Sequence, residues 1–166
     1  TVVYTWHTSK VKTIEDARKF QAVMGTTGAS SPTNLYLKAL NQLAGTKFKR
    51  IPGYRGSSRT ELAMERGEVE GVVADWGSSR VRNAQWLKDK KLNTLVQFGL
   101  ARAPDLPNVP LVKDVGTTKG DKEVLEFFAL GNAVGRSFLT TPDVPADRLA
   151  ALRKAFLAAL NDPALL

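Results

Sequence analysis

Short β-branched runs alternate with amphipathic helical segments along this chain, and that alternation limits its fold more than any other feature. Thr1–Thr5, Phe20–Met24, Phe48–Ile51, Val69–Ala74, Leu92–Phe98 and Ala133–Leu139 read as strands. Between them, Thr13–Phe20 reads as a helix capped by Thr13, with Glu15 and Asp16 in its first turn. Pro32–Ala44 carries Leu35, Leu37, Ala39, Leu40 and Leu43 on an apolar side and stops at Gly45. Arg59–Arg66 ends at Gly67, and Ser79–Lys90 and Lys122–Leu130 complete the middle helices. A last helix starts near Pro145, with Leu149, Leu152, Phe156 and Leu160 along one face. Pro104, Pro107 and Pro110 forbid a long helix in the stretch between Arg102 and Gly116. Strand and helix in alternation predict an α/β fold with a mostly parallel sheet flanked by helices.

Three loops occupy the same place in that pattern. "GTTGASS" (Gly25–Ser31), "PGYRGSS" (Pro52–Ser58) and "DWGSS" (Asp75–Ser79) each follow a strand and precede a helix. In an open α/β sheet, ligands bind beyond the carboxyl ends of the strands, so the three loops are expected on one rim. All three are rich in small or hydroxylated residues, which let a backbone approach a ligand. Ser31 before Pro32 reads as an N-cap with proline at the first helical position. Such a helix start serves equally as a plain cap or as a seat for an anion. Arg55 offers a guanidinium that can fork onto a carboxylate. Asp75 reads first as a cap, and Trp76 and Trp86 as core or contact residues.

Composition removes several classes of chemistry. The 166 residues contain no cysteine and one histidine, His7. Disulfides, thiol catalysis and thiolate metal sites are therefore excluded, and a zinc site is not expected. No apolar run approaches the roughly 18 residues of a membrane span. "GTTGAS" lacks the Lys-Ser/Thr of a phosphate-binding loop, and neither G-x-G-x-x-G nor G-x-S-x-G occurs. No catalytic residue, metal site or cofactor is expected. The net charge is +8. Residues 1–50 hold eight basic and two acidic side chains, a surplus of +6, against eight and six, then eight and eight, in the rest. A basic surface favours anionic partners. No helix-turn-helix or RNA-binding pattern accompanies the charge, so nucleic acid is not the expected partner.

In order along the chain, "VKTIEDARKF", "TTGASS" followed by "NLYLKALNQLAG", "IPGYRGSSRTELAMERGEVEGVV", "LNTLVQFGLARAPDLPNVPLVKDVG" and "TTPDVPADRLAALRKAF" form a recognisable series. The most specific element is Arg-x-Pro-x-Leu-Pro-x-Val-Pro, from Arg102 to Pro110. The chain resembles the substrate-binding receptors of tripartite tricarboxylate transporters, also called Bug receptors, over nearly its whole length. It departs from their pattern in three places: Gly53 separates Pro52 from Tyr54, Asn34 stands where a histidine is common, and Thr26, Gly28 and Ser30 keep only part of a Ser-x-Gly-x-Gly loop.

The resemblance implies a periplasmic-binding-protein-like fold of type II, with two α/β lobes closing over a carboxylate. Residues 1–139 would be the second lobe, with Val2–Tyr4 and Ala133–Leu139 paired as crossing strands at the hinge. Residues 140–166 would be a return helix belonging to a first lobe that is mostly absent. The implied ligand contacts are Thr26, Thr27, Gly28, Ala29, Ser30 and Ser31, then Tyr54, Arg55 and Gly56, then Asp75, Trp76 and Ser78. The function implied is non-catalytic: a periplasmic receptor that takes a small organic acid to membrane transporter subunits. An uncovered apolar face on the last helix would favour self-association. The alternative architecture-sharing role is the ligand-sensing effector domain of a transcription regulator.

Overall fold

A computed structural model describes residues 1–133, 135 and 137–164. The chain divides into two compact units, Thr1–Gly135 and Arg136–Leu166. The first is built on strands β1 (Val2–Trp6), β2 (Ala22–Thr26), β3 (Phe48–Pro52), β4 (Gly71–Ala74) and β5 (Leu92–Gln97), in the spatial order β3-β2-β4-β1-β5. β2 pairs in parallel with β3 and β4, whereas β1 is antiparallel to both β4 and β5. Four strands therefore run one way and β1 opposes them from an inner position. The carboxyl ends of β2, β3, β4 and β5, with the amino end of β1, share one edge of the sheet.

Helices cover both faces. Alternate side chains of a strand point to opposite faces, and β1 divides its residues accordingly. Val3 packs with Met24 and Val73 against α1 (Ile14–Lys19), α2 (Pro32–Leu43) and α6 (Lys119–Ala133), through Ile14, Ala17, Leu37, Leu40, Leu125 and Ala129. Val2 and Tyr4 pack with Val72 and Ala74 against Ala63 and Met64 of α3 (Ser57–Glu65) and against Trp76, the first residue of α4 (Trp76–Arg82). Gly71 stands where β1, β2 and β4 crowd together. A Cβ there would lie 2.5 Å from the Tyr4 carbonyl oxygen and 2.8 Å from the Met24 methyl.

The expected caps form. Thr13 and Asp16 make a reciprocal capping box at α1: the Asp16 amide donates to Thr13 Oγ1 (3.1 Å) and the Thr13 amide to Asp16 Oδ2 (3.0 Å). The Lys12 amide joins at 3.1 Å, and these bonds hold the Asp16 carboxyl below its ordinary range. Ser31 caps α2 with Pro32 at its start, and Gly45 after its end adopts φ +70°.

Two expectations are corrected. The helix expected over Ser79–Lys90 begins at Trp76 and breaks at Asn83, giving α4 and then α5 (Ala84–Lys88). Asn83 leaves helical geometry at φ −110°, ψ 30°, and its buried side chain donates to Ser79 Oγ (3.1 Å). Among the described residues of Ala133–Leu139, no strand forms to pair with Val2–Tyr4 at a hinge. α6 runs through Ala133, residues 137–139 are not in a strand, and both edges of β1 are already taken by β4 and β5. Val134 and Arg136 lie outside the described residues.

In the second unit α7 (Ala146–Leu160) begins after Pro145. Phe138 lies against Phe156, with ring centroids 5.0 Å apart. No residue of α7 is buried, and Leu152, Phe156, Leu157 and Leu160 are 42–59% exposed.

Leu40 is fully buried in α2, and Leu40→Ala should lower unfolding stability by about 2–5 kcal/mol. Urea denaturation checks this. Gly71→Ala, measured beside it, should be destabilising although it removes no atom.

Candidate functional site

The sheet edge that gathers the ends of β2, β3, β4 and β5 also carries the loops singled out by the sequence. The loop after β2 is held by its own hydroxyls. Ser31 Oγ donates to the Gly28 carbonyl (2.7 Å) and accepts from the Gly28 amide (3.2 Å) and the Asn34 amide (3.4 Å). Thr33 Oγ1 lies 2.9 Å from Ser31 Oγ and 3.2 Å from Thr27 Oγ1. Asn34, which is buried, donates from Nδ2 to the Ala29 carbonyl (2.6 Å). Ala29 and Ser30 form the exposed tip. Thr26 is buried at the end of β2, and its hydroxyl has no partner among the described residues.

The loop after β3 folds back onto the first. The amides of Gly53 and Tyr54 both donate to the Thr26 carbonyl, each at 3.2 Å. The Tyr54 ring is half-buried beside Gly25, and burial, followed by the Glu68 charge, raises its phenol above its ordinary value. Gly56 takes φ +88° and opens α3, accepting from the Thr60 amide and hydroxyl. Arg55 is exposed and forms no ion pair with the described residues. In the loop after β4, Asp75 caps α4 by accepting from the Ser78 amide (2.9 Å). Trp76 turns inward and donates from Nε1 to Asp105 Oδ2 (2.9 Å).

Sequence reasoning missed the contribution of β5. A cavity of about 390 Å³ lies at the same edge, lined by Trp76 together with Phe98, Gly99, Leu100 and Ala101 just after β5, and by Asn132. The proline-rich stretch that follows is tied down by Gln97. Its buried side chain donates to the Leu106 (2.9 Å) and Val109 (2.8 Å) carbonyls and accepts from the Ala103 amide (2.9 Å). The three prolines indicated a non-helical segment. The signal that it doubles back is a single glutamine at the end of an apolar strand.

Beneath the edge, one buried polar network joins β1, α3 and α4. Tyr4 Oη donates to Glu61 Oε1 (2.8 Å) and lies 3.0 Å from Ser79 Oγ. Arg82 Nη2 reaches both Glu61 oxygens, at 3.1 and 3.0 Å. The network fixes the two helices whose first residues form the loops after β3 and β4. Among the described residues, no group of three His, Asp or Glu side chains gathers to hold a metal ion.

The family model of the tripartite tricarboxylate transporter family receptor, TctC, matches residues 9–166. The chain belongs to that family. Solved structures share the fold. A TctC solute-binding protein from Polaromonas, crystallised without ligand, is 19% identical with a TM-score of 0.57, over 82% of this chain and 52% of its own. A protein from R. palustris solved with adipate is 15% identical with a TM-score of 0.67, over 99% of this chain and 52% of its own. The periplasmic binding protein BugD is 14% identical with a TM-score of 0.56, over 77% of this chain and 49% of its own. The chain thus spans about half the length of the structures it matches. No curated protein sequence matches it.

The network carries an alkaline signature. Burial, and then the adjacent Glu61 carboxylate, raise the Tyr4 phenol far above the value near 10 of a free tyrosine. Its contribution to stability is complete below about pH 10 and declines as the unfolded tyrosine ionises above that, by about 1.4 kcal/mol per pH unit. Tyr4→Phe should be the less stable protein at pH 7, and its deficit should shrink above pH 10. Urea unfolding of both forms across that range checks the sign.

Proposed function

We propose that this chain is the second-lobe half of a non-catalytic receptor that binds a small organic anion in the periplasm and presents it to the membrane subunits of a tripartite tricarboxylate transporter. The observation that carries the reading is the convergence of three strand-to-helix loops on one edge. The loop tip at Ala29 and Ser30 leads into the twelve-residue helix α2, whose positive end favours a carboxylate. Arg55, exposed and unpaired with the described acids, supplies a guanidinium that can fork onto the same group. The neighbouring cavity lined by Trp76, Phe98 and Leu100 accommodates an uncharged part of the ligand. The adipate in the R. palustris relative makes a dicarboxylate the first ligand to try.

In this reading residues 1–139 belong to the second lobe, and α7 belongs with a first lobe supplied by further chain. The half-length match to solved relatives supports that assignment, as does the uncovered apolar side of α7. Thr26–Ser31, Tyr54–Gly56 and Asp75, Trp76 and Ser78 would then form one wall of a cleft that closes on the ligand by a hinge motion.

A thermal-shift panel of mono-, di- and tricarboxylates tests the proposal. A ligand that binds only the folded state at a hundred times its dissociation constant adds about 2.7 kcal/mol. Arg55→Ala should weaken the best acid roughly tenfold or more, as expected for a charge-assisted hydrogen bond. Ser31→Ala should weaken binding and also cost about 1 kcal/mol of stability through the lost cap. If no acid shifts the receptor extended to both lobes, the carboxylate reading fails.

A further inference from the structure

The sheet edge opposite the loops holds the carboxyl end of β1 and the amino ends of the other four strands. Backbone bonds knit its connections together: the Trp6 amide donates to the Glu70 carbonyl (2.8 Å), the His7 amide to the Lys91 carbonyl (2.9 Å) and the Lys47 amide to the Ala17 carbonyl (2.7 Å). These connections bring Lys10, Lys12, Lys19, Lys47, Lys88 and Lys90 to one end of the unit. All six are exposed, and none takes part in an ion pair with the described residues.

Four of the nearby acids are already engaged. Glu15 pairs with Arg18 at 3.7 Å and Asp16 closes the α1 cap. Glu70 accepts from Ser9 Oγ (3.0 Å) and the Val23 amide (2.8 Å), and Asp89 faces Lys91 at 3.6 Å. Glu65, Arg66 and Glu68, exposed where α3 leads into β4, form no ion pair with the described residues and together subtract one charge from the six lysines. Aromatic rings complete the surface. Half-buried Trp6 and Trp86 meet edge to face at 4.9 Å, exposed His7 lies 5.2 Å from Trp6, and Phe20 is 49% exposed.

We propose that this lysine-rich end, with Trp6 and Trp86 at its margin, docks on an anionic phospholipid surface. Five strands at about 4.8 Å spacing make the end roughly 20 Å wide, broad enough to meet several headgroups. Its unpaired cations are the six lysines and Arg66, and lysines are point charges on flexible stems that suit a diffuse array of phosphates. A shaped protein partner would favour the planar fork of arginine. Tryptophan rings that are part buried and part wet are suited to the headgroup level of a bilayer. The loops that form the candidate ligand site lie at the other edge, so docking leaves them free.

The test is co-sedimentation of the chain with vesicles of phosphatidylglycerol and phosphatidylcholine, against phosphatidylcholine alone, at low and physiological salt. Each lysine near an anionic surface strengthens partition about fivefold. Binding should prefer the anionic vesicles at least tenfold and weaken with salt. The variant Lys10→Glu, Lys12→Glu, Lys88→Glu, Lys90→Glu should lose that preference. A control with the same charge change elsewhere, Lys38→Glu, Arg59→Glu, Arg148→Glu, Lys154→Glu, should retain most of it. Circular dichroism confirms that both variants fold. Equal loss in both variants would reduce the effect to net charge and overturn the proposal. Equal binding to both vesicle types would also overturn it and leave the end to an acidic protein surface.

Discussion

β1 is hydrogen-bonded along both edges, to β4 and to β5, and its residues Val2 to Thr5 are buried on both faces. Because it runs against its four companions, it sets which ends of the sheet come together. The reversed strand joins β5 to the parallel set without a crossover between adjacent strands. It thereby brings the end of β5, and the proline-rich stretch behind it, to the edge that already holds the loops after β2, β3 and β4. The Tyr4 hydroxyl extends the same strand into the buried network with Glu61, Ser79 and Arg82. One strand thus positions the sheet edge and anchors two of the helices that start there.

The candidate site follows from that geometry. Its loops satisfy much of their own polarity: Ser31 bonds to Gly28 and Asn34, Asp75 to Ser78, and Gln97 to three backbone groups. A loop held in this way presents its remaining groups in fixed positions, which lowers the ordering cost of binding. The edge is thus a preorganised surface with a positive helix end, the exposed Arg55 and an apolar cavity beside them. The opposite edge is of different character, an array of flexible cations that outnumber its unpaired acids.

Much of this was legible in the sequence. Thr13, Ser31 and Asp75 act within three residues of themselves, so their capping roles could be read from spacing alone. The three Gly/Ser/Thr loops were placed on a common edge because parallel strands share the direction of their ends. Two readings were corrected, each for its own reason. Short apolar runs such as Ala133–Leu139 fit helix or strand equally well until their neighbours are known. The Ser79–Lys90 run looked continuous because the break at Asn83 depends on a buried side-chain bond.

The amino-acid sequence by itself determined the alternation of elements, their caps and stops, the small-residue loops and the absence of thiol chemistry. These are local properties, fixed by side-chain shape and by hydrogen bonds spanning a few residues. Only the tertiary structure decided that β1 lies reversed inside the sheet, that Gln97 folds the proline-rich stretch back to the loop-bearing edge, and that lysines from four separate connections meet at the other end. Those outcomes depend on pairings between residues distant in the chain, and strand order and register are settled by which buried faces fit together.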